Sequence, residues 1–254
     1  MLPVPREDTA DTEVHMTHVL ILQHDDGSPP ALIGDYLREV DCDVEVRRLQ
    51  DGGVLPRPDD LGRWQALIVL GGEMNVDQEE EYPWLLGERE LLAGAVEREL
   101  PTLGICLGAQ QLALATGGHV YRRASIDRGW EPVSFLSRDE LVAGLHPQPY
   151  VLSWRSYACV VPDGAELLAD TDGEPQIFRV GTRAWSLMFH PEVDKAVVAA
   201  WVAEDAADIE ASYPGGVKAF RKMTNRELMR SVMFCGSLMA NFLAIVRAAG
   251  DDVA

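Results

Sequence analysis

Short apolar runs that each pass through a turn into a helix-spaced pattern constrain the fold of this chain most. The first, HVLILQH at 18–24, leads through DDGSPP into a helical stretch at 31–40, where Leu32, Ile33, Tyr36 and Leu37 recur at helix spacing. The second, ALIVL at 66–70, runs into the pair Gly71-Gly72, and Pro83 then starts a helix through about Glu99. The third, TLGI at 102–105, ends at Cys106 and hands over to LGAQQLALATGG, a helix with its glycine stop. Between the first two lies an alternating strand, DVEVRRL at 43–49. Apolar runs without alternation belong to strands covered on both faces. Strand and helix in turn predict an α/β fold: a doubly wound, mostly parallel sheet with helices on both faces. Right-handed crossovers place a ligand beyond the C-terminal strand ends, where Cys106 and Gly71-Gly72 sit.

The segments EPVSFL, YVLSW, AELLAD, QIFRV and AWSLMF read as added, partly antiparallel strands. From Val193 onward the chain reads as helical, over 193–211 and 216–249. With 254 residues and 47% hydrophobic content, one domain over 17–250 is expected after a loose polar tail at 1–16, in which Met16 is an alternative start. No apolar stretch approaches the roughly 20 residues that cross a bilayer, and MLPVPREDTADTEVH lacks the apolar region of a secretory signal, so neither membrane association nor export is expected. A net charge of −19 argues against nucleic acid as a partner, because that affinity rests on cationic contacts with phosphate. Cys42, Cys106, Cys159 and Cys235 form no C-x-x-C pair, so neither a zinc site nor a redox dithiol is indicated, and a reducing cytoplasm fits best. No cofactor or metal is expected. Cys42, Cys159 and Cys235 lie in core-like contexts and are assigned no chemistry.

Cys106 is different. GICLG has the glycine-x-nucleophile-x-glycine form of a strand-to-helix elbow. The nucleophile adopts a strained conformation there, and the glycines let helix and strand pass closely. A helix starting at Leu107 aims its free N–H groups at the sulfur and favours the reactive thiolate. SLMFHPEVD supplies His190 and Glu192 at the end of another apolar run. Residues two apart in extended chain point the same way, and Pro191 biases His190 toward that extended form. A carboxylate that orients a histidine, which in turn takes a cysteine's proton, is the arrangement for nucleophilic catalysis.

The chain resembles the class I (triad type) glutamine amidotransferases, particularly stand-alone proteins similar to the glutaminase domain of GMP synthetase. LIVLGGEMNV, YPWL, LPTLGICLGAQQLALATGGHVY, RGWEPV and AWSLMFHPEVD carry the resemblance, which spans about 17–247. It implies the flavodoxin-like fold of that family. It also implies that Cys106 attacks the side-chain amide of L-glutamine, forming a γ-glutamyl thioester and releasing ammonia. By the same resemblance, His190 is base and then acid, Glu192 orients it, and the backbone N–H groups of Gly72 and Leu107 form the oxyanion hole. Gly71, Gln110, Arg155 and Ser156 fall at substrate-binding positions. Gln110 reads otherwise as an exposed helical glutamine, and Arg155 either as a bidentate clamp on a carboxylate or as a solvated charge.

Some positions depart from the family. Glu73 and Asn75 follow the glycine pair where proline and a later serine are usual; solvent is the expected surroundings of Glu73. SWRSYA at 153–158 carries Ser153 and Arg155 in place of the two histidines of a histidine-rich loop. Trp130 matches a segment near the family's site, or is a buried tryptophan. The expected function is a glutaminase that supplies ammonia to a separate synthetase. The alternatives are a γ-glutamyl peptidase acting on larger γ-glutamyl compounds and a non-catalytic regulatory homologue. Homo-oligomerisation is left open.

Overall fold

The computed structural model describes residues 16–251. All of the expected N-terminal tail except Met16 lies outside them.

The strands β1 (His18–Gln23), β2 (Asp43–Arg48), β3 (Ala66–Val69) and β4 (Thr102–Ile105) pair in parallel. A later strand, β10 (Ala184–Leu187), joins β4 in parallel and completes the order β2-β1-β3-β4-β10. This is the flavodoxin-like order with its ligand crevice at the C-terminal strand ends. On the other side of β10 come β9 (Glu174–Val180), β8 (Glu166–Thr171) and the two-residue β6 (Ser134–Phe135), all antiparallel. AWSLMF is thus a hinge between the parallel and antiparallel halves of one sheet.

Alternate side chains of β1 explain the two layers. Val19 and Ile21 pack with Ile33 and Leu37 of α1 (Ala31–Glu39) and with Leu238, Met239 and Phe242 of α6 (Gly216–Asp251). Leu20 and Leu22 face the opposite way, onto Leu91, Leu92 and Ala95 of α2 (Trp84–Glu97) and Leu112 of α3 (Leu107–Ala115). Burying both faces is what an apolar run without alternation demands. The glycine stop of α3 is Gly117, at φ 83°.

Three expectations need correction. EPVSFL is not one strand: its start belongs to β5 (His119–Pro132) and its end to β6, in different sheets. The 14-residue β5 pairs antiparallel with β7 (Tyr150–Val160) as a separate ribbon, broken between Arg122 and Asp127. Its mixed polar sequence has no clean period, because much of β5 itself lies against solvent. The helical stretch 193–211 is two helices, α4 (Lys195–Glu204) and α5 (Ala206–Ser212), meeting at Asp205. The expectation that no stretch reaches membrane length also fails for α6, in which an 18-residue window has mean hydropathy 1.7. Its apolar residues Phe234, Leu238, Met239, Phe242, Leu243 and Val246 are packed in the main core.

Candidate active site

The sharp turn from β4 into α3 is made by three residues acting together. Cys106 has φ 49° and ψ −101°, a left-handed region that a side chain enters only under constraint. A Cβ on Gly104 would lie 2.6 Å from the Gly108 carbonyl oxygen, and one on Gly108 would lie 2.2 Å from that of Val69. No side chain fits at either place, so the glycines flanking the cysteine are a packing requirement. The carbonyl of Leu70 accepts from Gly108 N–H at 3.1 Å, and Cys106 N–H donates to Leu187 at 2.8 Å. The elbow is thereby tied to both neighbouring strands.

The H-P-E segment is tied just as firmly. His190 N–H donates to the Leu152 carbonyl and Leu32 N–H donates to that of Glu192, both at 2.9 Å. His190 Nδ1 lies 2.7 Å from Glu192 Oε1, and the two residues are 3% and 2% exposed. Trp201 meets the imidazole edge-on, with ring centroids 4.9 Å apart. Burial by itself would lower the His190 pKa. The Glu192 carboxylate and the sulfur of Cys106 outweigh it and hold the ring well above its ordinary value. Imidazole and cysteine converge on Gly71, where a Cβ would lie 2.8 Å from His190 Cε1 and 3.5 Å from Cys106 Cβ. By contrast, burial pushes the Cys159 and Cys235 thiols up to about 12, which suits inert core residues.

Cys106, although 5% exposed, opens onto a cavity of about 320 Å³ at the C-terminal strand ends. Gly72, Leu107, Gln110, Arg155, Ser156 and His190 share its wall. Among the described residues, neither the Gly72 nor the Leu107 amide has a hydrogen-bond acceptor. Gln110 is buried rather than exposed, because the first turn of α3 is covered by the ribbon and the loop after β3. Gly71 bounds the site by its lack of a side chain. Glu73 is exposed at the rim, where the Asp25 carboxylate, partial burial and Glu204 raise its pKa.

Arg155 overturns both of its expected readings. Its side chain is 1% exposed, so it is not solvated. Nε and Nη2 donate to Asp127 Oδ2 at 3.1 and 3.0 Å, and Nη1 donates to the Met188 carbonyl. The carboxylate it clamps is the chain's own, across the β5–β7 ribbon. Breaking a buried pair leaves a charge uncompensated. Arg155→Met is therefore expected to cost about 3 kcal/mol in urea denaturation, with the KM for substrate changed less than about threefold in the folded fraction. An unchanged midpoint with a tenfold rise in KM would restore the substrate clamp.

Several cavity residues had no signal in the sequence. Arg128 lies over Trp154, 5.5 Å from its ring centroid, and its Nη2 is 2.7 Å from Asp205. Trp201, Glu204 and Asp205 close the wall from α4 and its end, and Trp201 Nε1 donates to the Gly27 carbonyl at 2.8 Å. These groups come from segments far apart in the chain, and only α4 offers a local spacing. Trp130 turns instead to Thr224 in the core, donating at 3.0 Å, in keeping with the buried reading.

A sequence model described as glutamine amidotransferase class-I matches residues 26–202. The glutamine-hydrolyzing GMP synthase of Phenylobacterium zucineum is 31% identical over 226 residues, covering 85% of this chain and 40% of that protein. One subunit of the glutamine-hydrolyzing GMP synthase of Methanosarcina barkeri is 38% identical over 102 residues, covering 38% of this chain and 53% of that polypeptide. In these alignments the chain spans about half or less of the curated relatives' length. Among solved structures, a glutamine amidotransferase from Thermotoga maritima superposes with a TM-score of 0.80 at 27% identity, covering 90% of this chain and 98% of that one. One from Methylobacillus flagellatus superposes at 0.79 and 21% identity, covering 90% and 95%, a likeness of fold.

Proposed function

Since the chain belongs to the glutamine amidotransferase class-I family, we propose that it hydrolyses the side-chain amide of L-glutamine through a thioester on Cys106. The ammonia released would go to a synthetase on a separate chain. The observation that carries this is the buried His190–Glu192 pair at 2.7 Å, converging with the strained cysteine on Gly71 at the wall of one cavity.

In this reading the Cys106 thiol has passed its proton to His190 Nε2, and the Sγ thiolate attacks the amide carbon beside the imidazolium. Nδ1 is engaged by Glu192, which fixes the ring's orientation. The amide oxygen becomes an oxyanion, met by the N–H groups of Gly72 and Leu107. Each such donor is worth about a hundredfold or more in rate. His190 returns the proton to nitrogen, the C–N bond breaks and ammonia leaves. Water then attacks the thioester with His190 as base, freeing glutamate and the sulfur. Arg128 and Asp205 share the cavity wall but are paired with each other at 2.7 Å, which leaves the exposed Glu204 carboxylate to suit the substrate ammonium group. The cavity volume lies at the small end of ligand sites, as an amino acid requires.

Glutamate release from glutamine and from a γ-glutamyl dipeptide, compared with the purified chain, tests the reading. The expected result is a kcat/KM at least about tenfold higher for glutamine, rising further when a matching synthetase is added. Preference for the dipeptide would make the chain a γ-glutamyl peptidase. Hydrolysis of neither, with Cys106 unreactive to a glutamine-like chloroketone, would leave a regulatory homologue.

A further inference from the structure

The buried pair His24–Glu88 is a second histidine–carboxylate couple at the same strand ends, and the reaction above makes no use of it. His24 follows β1 directly, and Glu88 projects from α2; both are 0% exposed. His24 Nε2 is 2.8 Å from Glu88 Oε2, and Trp84 stacks on the ring at 5.1 Å and 9°. The other nitrogen, Nδ1, is 2.7 Å from the carbonyl oxygen of Gly71. A carbonyl can only accept, so Nδ1 carries a proton and donates it.

That bond acts on more than Gly71. The peptide joining Gly71 to Gly72 is trans, as is every described peptide bond. In a planar trans peptide the C=O and N–H point in opposite directions. Holding the Gly71 oxygen toward His24 therefore turns the Gly72 N–H away from His24. The next peptide is held too, because Glu73 N–H donates to Asp25 Oδ2 at 2.9 Å. Residues 24 and 25 thus fasten the loop on both sides of Gly72. The Gly72 amide itself has no acceptor among the described residues, and Gly72 lines the cavity beside Cys106 and Leu107.

We infer that His24 is a positioning residue for acyl transfer: its Nδ1–H bond to the Gly71 carbonyl aims the Gly72 amide at the oxyanion, with Glu88 and Trp84 holding the ring in place. A glycine pair has no side chains to fix its own backbone, and its flexibility makes an outside anchor necessary. Glu88 contributes through the ring, so the donor at Nδ1 is the element that matters. The inference rests on the thioester reading above only in requiring that Cys106 be acylated.

Two reactions of the same sulfur separate aim from integrity. Acylation of Cys106 by p-nitrophenyl acetate passes through a tetrahedral oxyanion, whereas alkylation by iodoacetamide does not. In His24→Ala the acylation burst is expected to slow by about 10- to 100-fold, a large part of the loss that follows removal of a donor, while alkylation stays within about twofold. His24→Asn, whose amide can donate from near the Nδ1 position, should recover most of the burst. Glu88→Gln, which keeps a hydrogen-bonding partner at Nε2, should lose less than about fivefold. If alanine at 24 does not fold, His24→Leu with Glu88→Leu removes donor and buried charge together, an exchange cores often tolerate. Equal slowing of both reactions, or an undiminished burst in the donor-free protein, overturns the inference. Glutamine turnover of the unaltered chain is measured alongside: its absence with a normal burst would sink the substrate assignment and leave the role of His24 standing.

Discussion

Cys106→Gly is expected to reduce glutamine hydrolysis by on the order of 10⁵- to 10⁶-fold, the scale seen when a nucleophile is removed from a covalent mechanism. No other described cysteine can stand in, because none of Cys42, Cys159 and Cys235 lines the cavity, and burial holds the thiols of the last two up near 12. Trapping should show a γ-glutamyl adduct on residue 106 of the unaltered chain and none on the variant. The same substitution is expected to raise stability. The φ of 49° at Cys106 strains any residue with a Cβ, typically by about 1–3 kcal/mol, and glycine adopts it freely. After the loss of one small buried side chain, a net gain of about 1 kcal/mol should appear as a higher Tm. An inactive variant that is also less stable would show that Cys106 is a packing residue without stored strain. Retention of more than about a tenth of the activity would end the thioester account.

Glu192→Gln should lower kcat by about 10³-fold or more. A glutamine amide can donate to Nδ1 and so leave the proton on Nε2, where the base needs a lone pair; a carboxylate enforces the reverse. The pH dependence follows from the same contact. Burial works to discharge His190, and Glu192 and the Cys106 sulfur together more than reverse that effect. A raised folded-state pKa means that protonation favours the folded protein. That stabilisation is complete below the unfolded value near 6.5 and fades as pH rises through the folded value. Without the Glu192 charge, the alkaline limb of kcat/KM should move to lower pH, and the stability advantage of acidic over alkaline solution should shrink. Urea denaturation as a function of pH checks the second, and a pH–rate profile checks the first. An alkaline limb that stays in place would mean that Glu192 holds His190 in position without tuning its charge.

Much of the scaffold was legible because it depends on local pattern. The runs ALIVL and TLGI read as central strands, and the structure covers both on two faces. The limits of α1, α2 and α3 fall within two or three residues of their apolar spacing and glycine stop. The elbow was legible for the same reason: the Gly104–Cys106–Gly108 spacing encodes a close approach that no other residue permits. His190 and Glu192 could be paired because a stiff dipeptide links them two positions apart.

YVLSW was legible as a strand and opens β7, but β5 was not, and neither was most of what the ribbon brings to the cavity. Without a clean period, β5 offers no pattern, and its meaning lies in β7, its partner across the Asp127–Arg155 and Gly129–Ser153 pairs. Arg155 shows the consequence. Charge and position made it a substrate contact or a surface group, but Asp127, 28 residues earlier, decides which carboxylate it meets. Arg128 and Asp205 meet across a still longer separation, and His24 reaches Gly71 over 47 residues.

The sequence by itself determined the order of β1–β4 and α1–α3, the elbow, and which residue types could serve as nucleophile, base and orienter. Those are matters of side-chain period and of backbone conformations that few residues can adopt. Only the tertiary structure decided which charges face the cavity, which neutralise one another, and how the Gly72 amide is held. Such pairings depend on distances between segments that chain spacing does not fix, and a buried charge is settled by whichever partner folding brings within reach.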